Sequence, residues 1–138
     1  MKPLPDFIDC HAHTNFAVYD FDRDSVIKRA LKEKVLMINT GTQKDTSKKA
    51  CDLTLEYTEG VYAIVGIHPI HTDKSFHDKK ELGEENSSFV SRGEIWDLDT
   101  YESFFKNPKV IGIGECGLDY FHLDKETEIK QKKTFENQ

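Results

Sequence analysis

Four short apolar runs rich in strand-forming residues recur along the chain, and each is followed by a segment with helical periodicity. The runs are FIDC at 7–10, VLMINT at 35–40, VYAIVGI at 61–67 and VIGIG at 110–114. Near-continuous apolar strands that alternate with amphipathic helices are typical of a parallel sheet, because right-handed crossovers place each helix against the sheet. The sequence therefore predicts an α/β fold.

The segments between the runs carry apolar residues three and four positions apart, as expected of helices with one buried face. Asp24 is suited to cap the first of these helices. The periodic positions are Val26, Ile27, Ala30 and Leu31 in the first segment, Ala50, Leu53, Thr54 and Tyr57 in the second, Leu98, Tyr101, Phe104 and Phe105 in the third, and, more weakly, Ile129 and Phe135 in the fourth.

The 26 residues from 72 to 97 interrupt the alternation with polar sequence that contains glycine and serine. This stretch is longer than an ordinary connection between a strand and a helix. We interpret it as an inserted, mobile excursion after the third strand, within a single domain of residues 1–138.

Composition and charge limit the classes of protein that the chain can represent. Apolar residues make up 37% and charged residues 32% of the 138 residues, a balance typical of globular domains. No apolar run approaches the roughly 20 residues of a membrane helix, and the start MKPLPDFID lacks the apolar core of a secretory signal. We therefore expect an intracellular protein, cytoplasmic or nuclear, with no membrane partner.

The net charge of −6 gives no overall basic surface for nucleic acid. It does not exclude a nucleic-acid substrate, because a metal site supplies local positive charge that the residue count omits. Cys10, Cys51 and Cys116 form no C-x-x-C pair, which argues against a disulfide framework or a thiolate metal site. We expect reduced thiols in the core.

The stretch FIDCHAH at 7–13 places an acid and two histidines at alternate positions. In an extended strand Asp9, His11 and His13 point to one side. A His-x-His pair at the end of a short buried strand can hold one divalent cation through neutral ring nitrogens. The spacing alone is equally compatible with two ordinary polar residues in a loop after a strand.

Two further residues follow the apolar runs where parallel α/β folds keep their chemistry, at the carboxyl ends of strands. Glu115 comes after VIGIG and, together with His11 and His13, forms a credible set of three ligands. Considered alone, Glu115 is more typical of a solvent-exposed acid in a loop. His68 follows VYAIVGI and fits a substrate contact, with a metal ligand, a phosphate contact or a structural histidine as alternatives. His71, His77 and His122 are expected at the surface.

Taken together, these motifs resemble the TatD family of metal-dependent deoxyribonucleases. The segments that carry the resemblance are FIDCHAH at 7–13, VGIHP at 65–69, VIGIGECGLDYF at 110–121, and Gln131, Phe135 and Gln138. They occur in the family's order, one per strand and helix, and they span nearly the whole chain. Ile70 departs from the histidine that many members place directly after the proline.

The resemblance implies a (β/α)₈ barrel, a site for one or two divalent metal ions (zinc, magnesium or manganese) at its carboxyl-end mouth, and hydrolysis of phosphodiester bonds in DNA. It implies that His11 and His13 bind one metal and that Glu115 takes a bridging or shared position. It places His68 and Asp119 on the substrate side. We expect Asp9, one pleat deeper on the same face, to orient a ligand.

Such a barrel takes about 250 residues, so we expect this chain to supply about the first four βα units, the N-terminal half. The catalytic base and further ligands are expected beyond Gln138. A half barrel leaves its first and fourth strands as open edges and exposes inward-facing Ile64, Ile111 and Ile113. If these residues are the whole molecule, we expect a homodimer that pairs the first strand of one copy with the fourth strand of the other.

Two other functions remain open at this stage. An amidohydrolase that acts on C–N bonds could use the same His-x-His strand, although GECGLDY and GIHP favour the nuclease. A truncated product could instead bind a metal or a partner without catalysing a reaction.

Overall fold

A computed structural model describes residues 5–74, 76–77, 89–121 and 124–138. In chain order the elements are β1 (Phe7–Ala12), a 3₁₀ helix (Ala17–Tyr19), α1 (Arg23–Lys32), β2 (Val35–Thr40), α2 (Lys44–Glu56), β3 (Val61–Val65), a 3₁₀ helix (Pro69–Thr72), β4 (Phe76–His77), β5 (Phe89–Val90), α3 (Leu98–Phe104), β6 (Val110–Ile113) and α4 (Lys125–Asn137).

The four predicted strands form one parallel sheet in the order β1, β2, β3, β6. The register pairs Phe7 with Val35, Met37 with Val61, and Ala63 with Val110. Strands that are consecutive in this alternation are therefore neighbours in space, and all four carboxyl ends lie at the same edge. The α/β prediction is confirmed.

The helices cover one face of the sheet and form the core there. Val61, Ala63 and Val65 are fully buried, whereas the residues between them on β3 are partly exposed, as the two-residue period of a strand requires. One cluster of buried residues joins this face to α2 and α3 through Ala50 and Tyr101. A second cluster joins it to α1.

The opposite face of the sheet remains largely uncovered. Ile8 and Ile111 keep 54% and 51% of their surface exposed, and Ile64 is half-buried. In a closed barrel this face would be filled by layers of inward-pointing side chains. Its exposure matches the expectation for a sheet that forms part of a barrel. The expectation that Ile113 shares this face is wrong, because a register shift between Ala63 and Ile64 pairs Ile113 with Val65 of the buried face.

Two details of the helix predictions are wrong. Asp24 lies in the first turn of α1, because the helix already begins at Arg23 and Asp22 is therefore the N-cap residue. Asp24 instead pairs with Lys28 at 2.7 Å. In α4, Ile129 and Phe135 are exposed, and the buried positions are Gln131 and Thr134.

The predicted insertion at 72–97 is described only in part, and its residues 75 and 78–88 lie outside the described residues. Its last segment, residues 91–97, is tied to the domain. Glu94 N donates to the carbonyl oxygen of His71 at 2.7 Å, and the ring of Trp96 stacks on Tyr101 with centroids 4.0 Å apart. This part of the insertion is therefore anchored on α3.

The expectation of core thiols holds for Cys51 but is wrong for Cys10 and Cys116, which are exposed. None of the helices described above combines the length and the apolar character needed to cross a bilayer.

Candidate metal centre

Strand β1 brings two imidazole rings together at its carboxyl end. His11 lies on the strand and His13 follows its last residue, and their Nε2 atoms are 3.1 Å apart. The rings meet edge to face with centroids 4.9 Å apart. The prediction of a shared side is confirmed for His11 and His13, whereas a register shift between Asp9 and Ala12 interrupts the regular alternation that was to place Asp9 with them.

Strand β2 and the loop after β1 fix the orientation of His13. Its Nδ1 lies 3.1 Å from the carbonyl oxygen of Thr40. Because a carbonyl oxygen only accepts hydrogen bonds, Nδ1 carries the proton and Nε2 keeps its lone pair for a cation. Phe16 stacks on the ring at 4.4 Å, and buried Asn15 donates from Nδ2 to the same Thr40 oxygen at 3.2 Å.

Glu115 approaches the two histidines from the end of β6. Its backbone N donates to the carbonyl oxygen of Gly41 at 2.9 Å, which fixes the main chain beside β2. Its Oε1 lies 3.5 Å from Nε2 of His11.

The three side chains fit a single divalent cation. One donor atom each from His11, His13 and Glu115 lies within 4.8 Å of the other two. Two tetrahedral zinc ligands, each about 2.0 to 2.1 Å from the ion, are about 3.3 Å apart. The distances of 3.1 and 3.5 Å from His11 lie close to this spacing. Within the described ranges, this is the one group of three such residues that converges in this way.

His68 lies on the same rim, after β3. Its Nε2 is 3.8 Å from Oε1 of Glu115, and its Nδ1 accepts a hydrogen bond from the backbone N of Ile70 at 3.1 Å. Burial lowers the pKa of His68 below its ordinary value, although the charges of Glu115 and Asp119 oppose this shift. The neutral ring is therefore favoured, with its proton on Nε2, the nitrogen that faces the centre.

Asp119 and Asp9 both bind main-chain groups. Asp119 accepts from the backbone N of Phe121 at 2.9 Å, and its own backbone N donates to Oε1 of Gln131. These bonds shape the loop after β6. Asp9 Oδ1 accepts from the backbone N of His11 at 3.1 Å, so its contact with this ligand candidate is through the main chain.

Several contacts that hold the residues of this site in place were not predicted from the sequence. Gln138 holds the chain beside His68, because its side chain accepts from the backbone N of Ile67 at 2.8 Å and donates to the carbonyl oxygen of the same residue. The spacing of Gln131 and Gln138 in the sequence was a signal, but it did not reveal these partners. The roles of the Thr40 carbonyl and of Asn15 left no recognisable pattern in the sequence.

The surface prediction for His71 is wrong. The residue is 7% exposed, and its Nδ1 lies 3.2 Å from Oγ of Ser91. The final segment of the insertion folds back over it, which a count of polar residues in that segment could not show. The side chains of His77 and His122 lie outside the described residues.

A sequence profile of the family described as "TatD related DNase" matches residues 8–138. The chain belongs to this family. The resemblance inferred from the motifs is therefore confirmed.

Two curated members of the TatD family show how much of a relative this chain spans. The "uncharacterized metal-dependent hydrolase YabD" of Bacillus subtilis is 36% identical over 131 residues, which cover 94% of this chain and 44% of that protein. The "3'-5' ssDNA/RNA exonuclease TatD" of Cronobacter sakazakii is 31% identical over 121 residues, 87% of this chain and 38% of that protein. The chain thus spans less than half the length of these relatives.

A solved structure supports the fold. The crystal structure of YjjV, a TatD homolog from Escherichia coli K12, superposes with a TM-score of 0.61 at 24% sequence identity. The match covers 94% of this chain and 44% of the other. The four parallel strands and their helices are consistent with part of the barrel predicted from the sequence.

Proposed function

We propose that the protein is a metal-dependent hydrolase that cleaves phosphodiester bonds in DNA, with His11, His13 and Glu115 as metal ligands. The convergence of their donor atoms within 4.8 Å is the observation that carries the proposal. The name of the Cronobacter relative, an exonuclease for single-stranded DNA and RNA, supports a nucleic-acid substrate. The name of the Bacillus relative supports the use of a metal.

The donor set is suited to one or two divalent ions. Imidazole nitrogen suits zinc, and carboxylate oxygen also suits magnesium and manganese. A bound cation would supply an activated water and neutralise charge on the phosphoryl oxygens.

The chain's own side chains would divide the remaining tasks. His13 offers a lone pair in a fixed direction because the Thr40 carbonyl holds its other nitrogen. His68 would donate from Nε2 to a phosphoryl oxygen, since its Nδ1 is already an acceptor. Asp119 would line the substrate side, and Asp9 would steady the main chain of His11. We propose that the proton acceptor lies beyond Gln138.

We further propose that residues 1–138 form a single domain, the first four βα units of a barrel. A homodimer that pairs the open strand edges of two half barrels and covers their exposed inner face also stays a prediction. Light scattering at dilute concentration tests it, because a stable monomer of 15.9 kDa would rule out the pairing of half barrels.

The function is tested on the protein purified at its natural length, established by intact mass. Single- and double-stranded DNA and a panel of amides are incubated with it in zinc, magnesium or manganese. We expect DNA cleavage that a chelator abolishes. Amide hydrolysis without DNA cleavage would identify an amidohydrolase, and metal binding without turnover would identify a non-catalytic protein.

A further inference from the structure

A second concave region lies between the last segment of the insertion and α4. It is a cleft of about 360 Å³, within the range of roughly 300 to 1,000 Å³ typical of ligand pockets. We call it the cationic cleft, after the four basic residues that line it: Lys74, Arg92, Lys130 and Lys133.

The charge of this cleft is opposite to that of the chain. The whole chain carries −6, whereas the cleft has these four cations and two acids, Asp73 and Glu94. Lys130 lies 3.0 Å from Asp73 and, by its hydrogen bond, holds the pKa of that carboxyl below its ordinary value. This acid is therefore already neutralised by a neighbour.

Two of the four cations form no ion pair with an acid among the described residues. Arg92 is engaged with Asp45 at 2.6 Å, and Lys130 with Asp73 and Glu126. The ammonium groups of Lys74 and Lys133 have no carboxylate partner in the part of the chain that the structure describes. Their charge remains available to an anion.

The same cleft has an apolar, aromatic wall. Ile95 lines the cleft and is 84% exposed. Tyr101 covers one face of the Trp96 ring, with an interplanar angle of 14°, and Trp96 also lines the cleft. Aromatic rings that stack bases, combined with cations that contact phosphates, are the usual elements of a single-strand binding groove.

A neighbouring cleft differs from the cationic cleft in the pairing of its basic residues. It lies on the other side of the Arg92–Ile95 segment, has about 800 Å³, and is also lined by basic residues. There, however, Lys44 pairs with Asp97 at 3.2 Å. Lys48 likewise pairs with Asp52, at 2.5 Å. That cleft is larger but its cations are compensated.

The cationic cleft and the candidate metal centre flank one turn. The 3₁₀ helix Pro69–Thr72 begins directly after His68, and Thr72 and Asp73 line the cleft. Four residues at about 2 Å rise each span about 8 Å. The two regions are therefore close enough for one extended strand to contact both.

We propose that the cationic cleft binds the single-stranded nucleic acid adjoining the phosphate held at the metal centre, with Lys74 and Lys133 contacting phosphates and Trp96 stacking on a base. The inference rests on the proposed function for the identity of the ligand. It adds a binding region outside the TatD motifs, built by the insertion and α4.

Binding is measured in EDTA, so that the result does not depend on the metal centre. The probe is a fluorescently labelled single-stranded DNA oligonucleotide, titrated into the natural-length protein at several salt concentrations. We compare Lys74→Gln/Lys133→Gln with Lys106→Gln/Lys132→Gln. The control changes the net charge equally, and Lys132 is adjacent to Lys133 on α4 but pairs with Glu128 outside the cleft.

We expect the cleft variant to bind more weakly and the control to bind like the wild type. Each phosphate contact to a single strand contributes about 0.7 to the slope of log K against log salt, so losing two contacts lowers the slope by about 1.4. Trp96 is the one tryptophan of the chain, so its fluorescence reports stacking directly. We expect quenching by DNA.

Three results would overturn the inference: no DNA binding in EDTA, equal losses in the two variants, or binding without any change in tryptophan fluorescence. Equally tight binding of an acidic peptide, with the same dependence on the two lysines, would overturn the assignment to nucleic acid. DNA binding without cleavage in any metal would leave the inference standing and refute the proposed function, so the two failures are distinguishable.

Discussion

The candidate metal centre and the cationic cleft flank one turn, yet they are built in different ways. The centre uses side chains at strand ends, held by main-chain groups of the neighbouring strand, such as the Thr40 carbonyl that fixes His13. The cleft uses long side chains from the insertion and one helix, and two of them, Lys74 and Lys133, have no acidic partner in the described ranges. The first region is preorganised for an ion, whereas the second is suited to an extended anion.

Because of this difference, the metal centre should determine the rate of cleavage and the cationic cleft should determine the affinity for DNA. A rigid ligand set loses function when one donor is removed, because the remaining donors cannot move to replace it. Flexible surface cations each contribute a small, salt-dependent share of binding. Variants in the two regions should therefore affect different measurements.

The largest expected effect is in the metal centre. Glu115→Gln or His13→Ala should lower the rate of DNA cleavage at least about 100-fold, because loss of a ligand removes several kcal/mol of transition-state stabilisation. DNA binding in EDTA should remain at the wild-type level. Glu102→Gln, an exposed acid on α3, is the matched control. Cleavage that survives Glu115→Gln would contradict the ligand assignment.

A smaller effect is expected from the support of His13. Asn15→Ala removes a donor to the Thr40 carbonyl and should lower metal affinity about tenfold, the lower end of the range for outer partners of metal ligands. Isothermal titration with zinc measures it. Thr54→Val, an equally buried polar site far from the centre, should lower stability without changing zinc affinity. Equal zinc affinities in the two variants would show that Asn15 has no positioning role.

The cleft variant should have little effect on the metal. Lys74→Gln/Lys133→Gln is expected to change zinc affinity by no more than about twofold, since exposed charges are screened over about 10 Å at 0.1 M salt. The same titration measures this change. A loss of zinc binding in this variant would show that the metal centre and the cationic cleft form one site. It would contradict the distinction between the two regions.

The smallest effect concerns Glu94, at the edge of the cleft. Burial raises the pKa of this carboxyl, an effect that nearby Asp45 enhances and that Arg92 and the hydrogen bonds from Lys44 N and Tyr101 OH oppose. The group therefore stabilises the fold below its ordinary pKa of 4.5, and this contribution is lost as pH rises through the higher folded-state value.

Glu94→Gln should remove that dependence on pH. The difference in Tm between the variant and the wild type is expected to shift in favour of the variant, by no more than a few degrees, as pH rises from about 4 to 7. Thermal unfolding at several pH values measures it. A difference that stays constant with pH would mean that Glu94 has an ordinary pKa.

The sequence predicted the sheet and the candidate metal centre because both depend on short-range patterns. Alternation in β1 places His11 and His13 on one side, and Glu115 follows the strand that completes the sheet. The neighbours of these residues could not be predicted. Asn15 acts through contacts with residues 25 and 31 positions away, and such pairings appear only in the folded chain.

The cationic cleft could not be predicted from the sequence, for a related reason. Lys74 and Lys133 lie far apart in sequence, within segments that are rich in both signs of charge. That neither lysine meets an acid within the described ranges depends on the folded arrangement and not on the local sequence. The buried positions of α4 illustrate the same limit, because Gln131 is buried to hold the backbone of Asp119 although the sequence favoured Ile129.

The central claim is that His11, His13 and Glu115 hold one cation, and X-ray absorption spectroscopy of the zinc-loaded natural-length protein tests it most directly. The account predicts that zinc has imidazole nitrogen neighbours at about 2.0 to 2.1 Å and that the imidazole signal declines in His11→Ala and in His13→Ala. A zinc spectrum that lacks imidazole scattering, or that is unchanged in both variants, would contradict it.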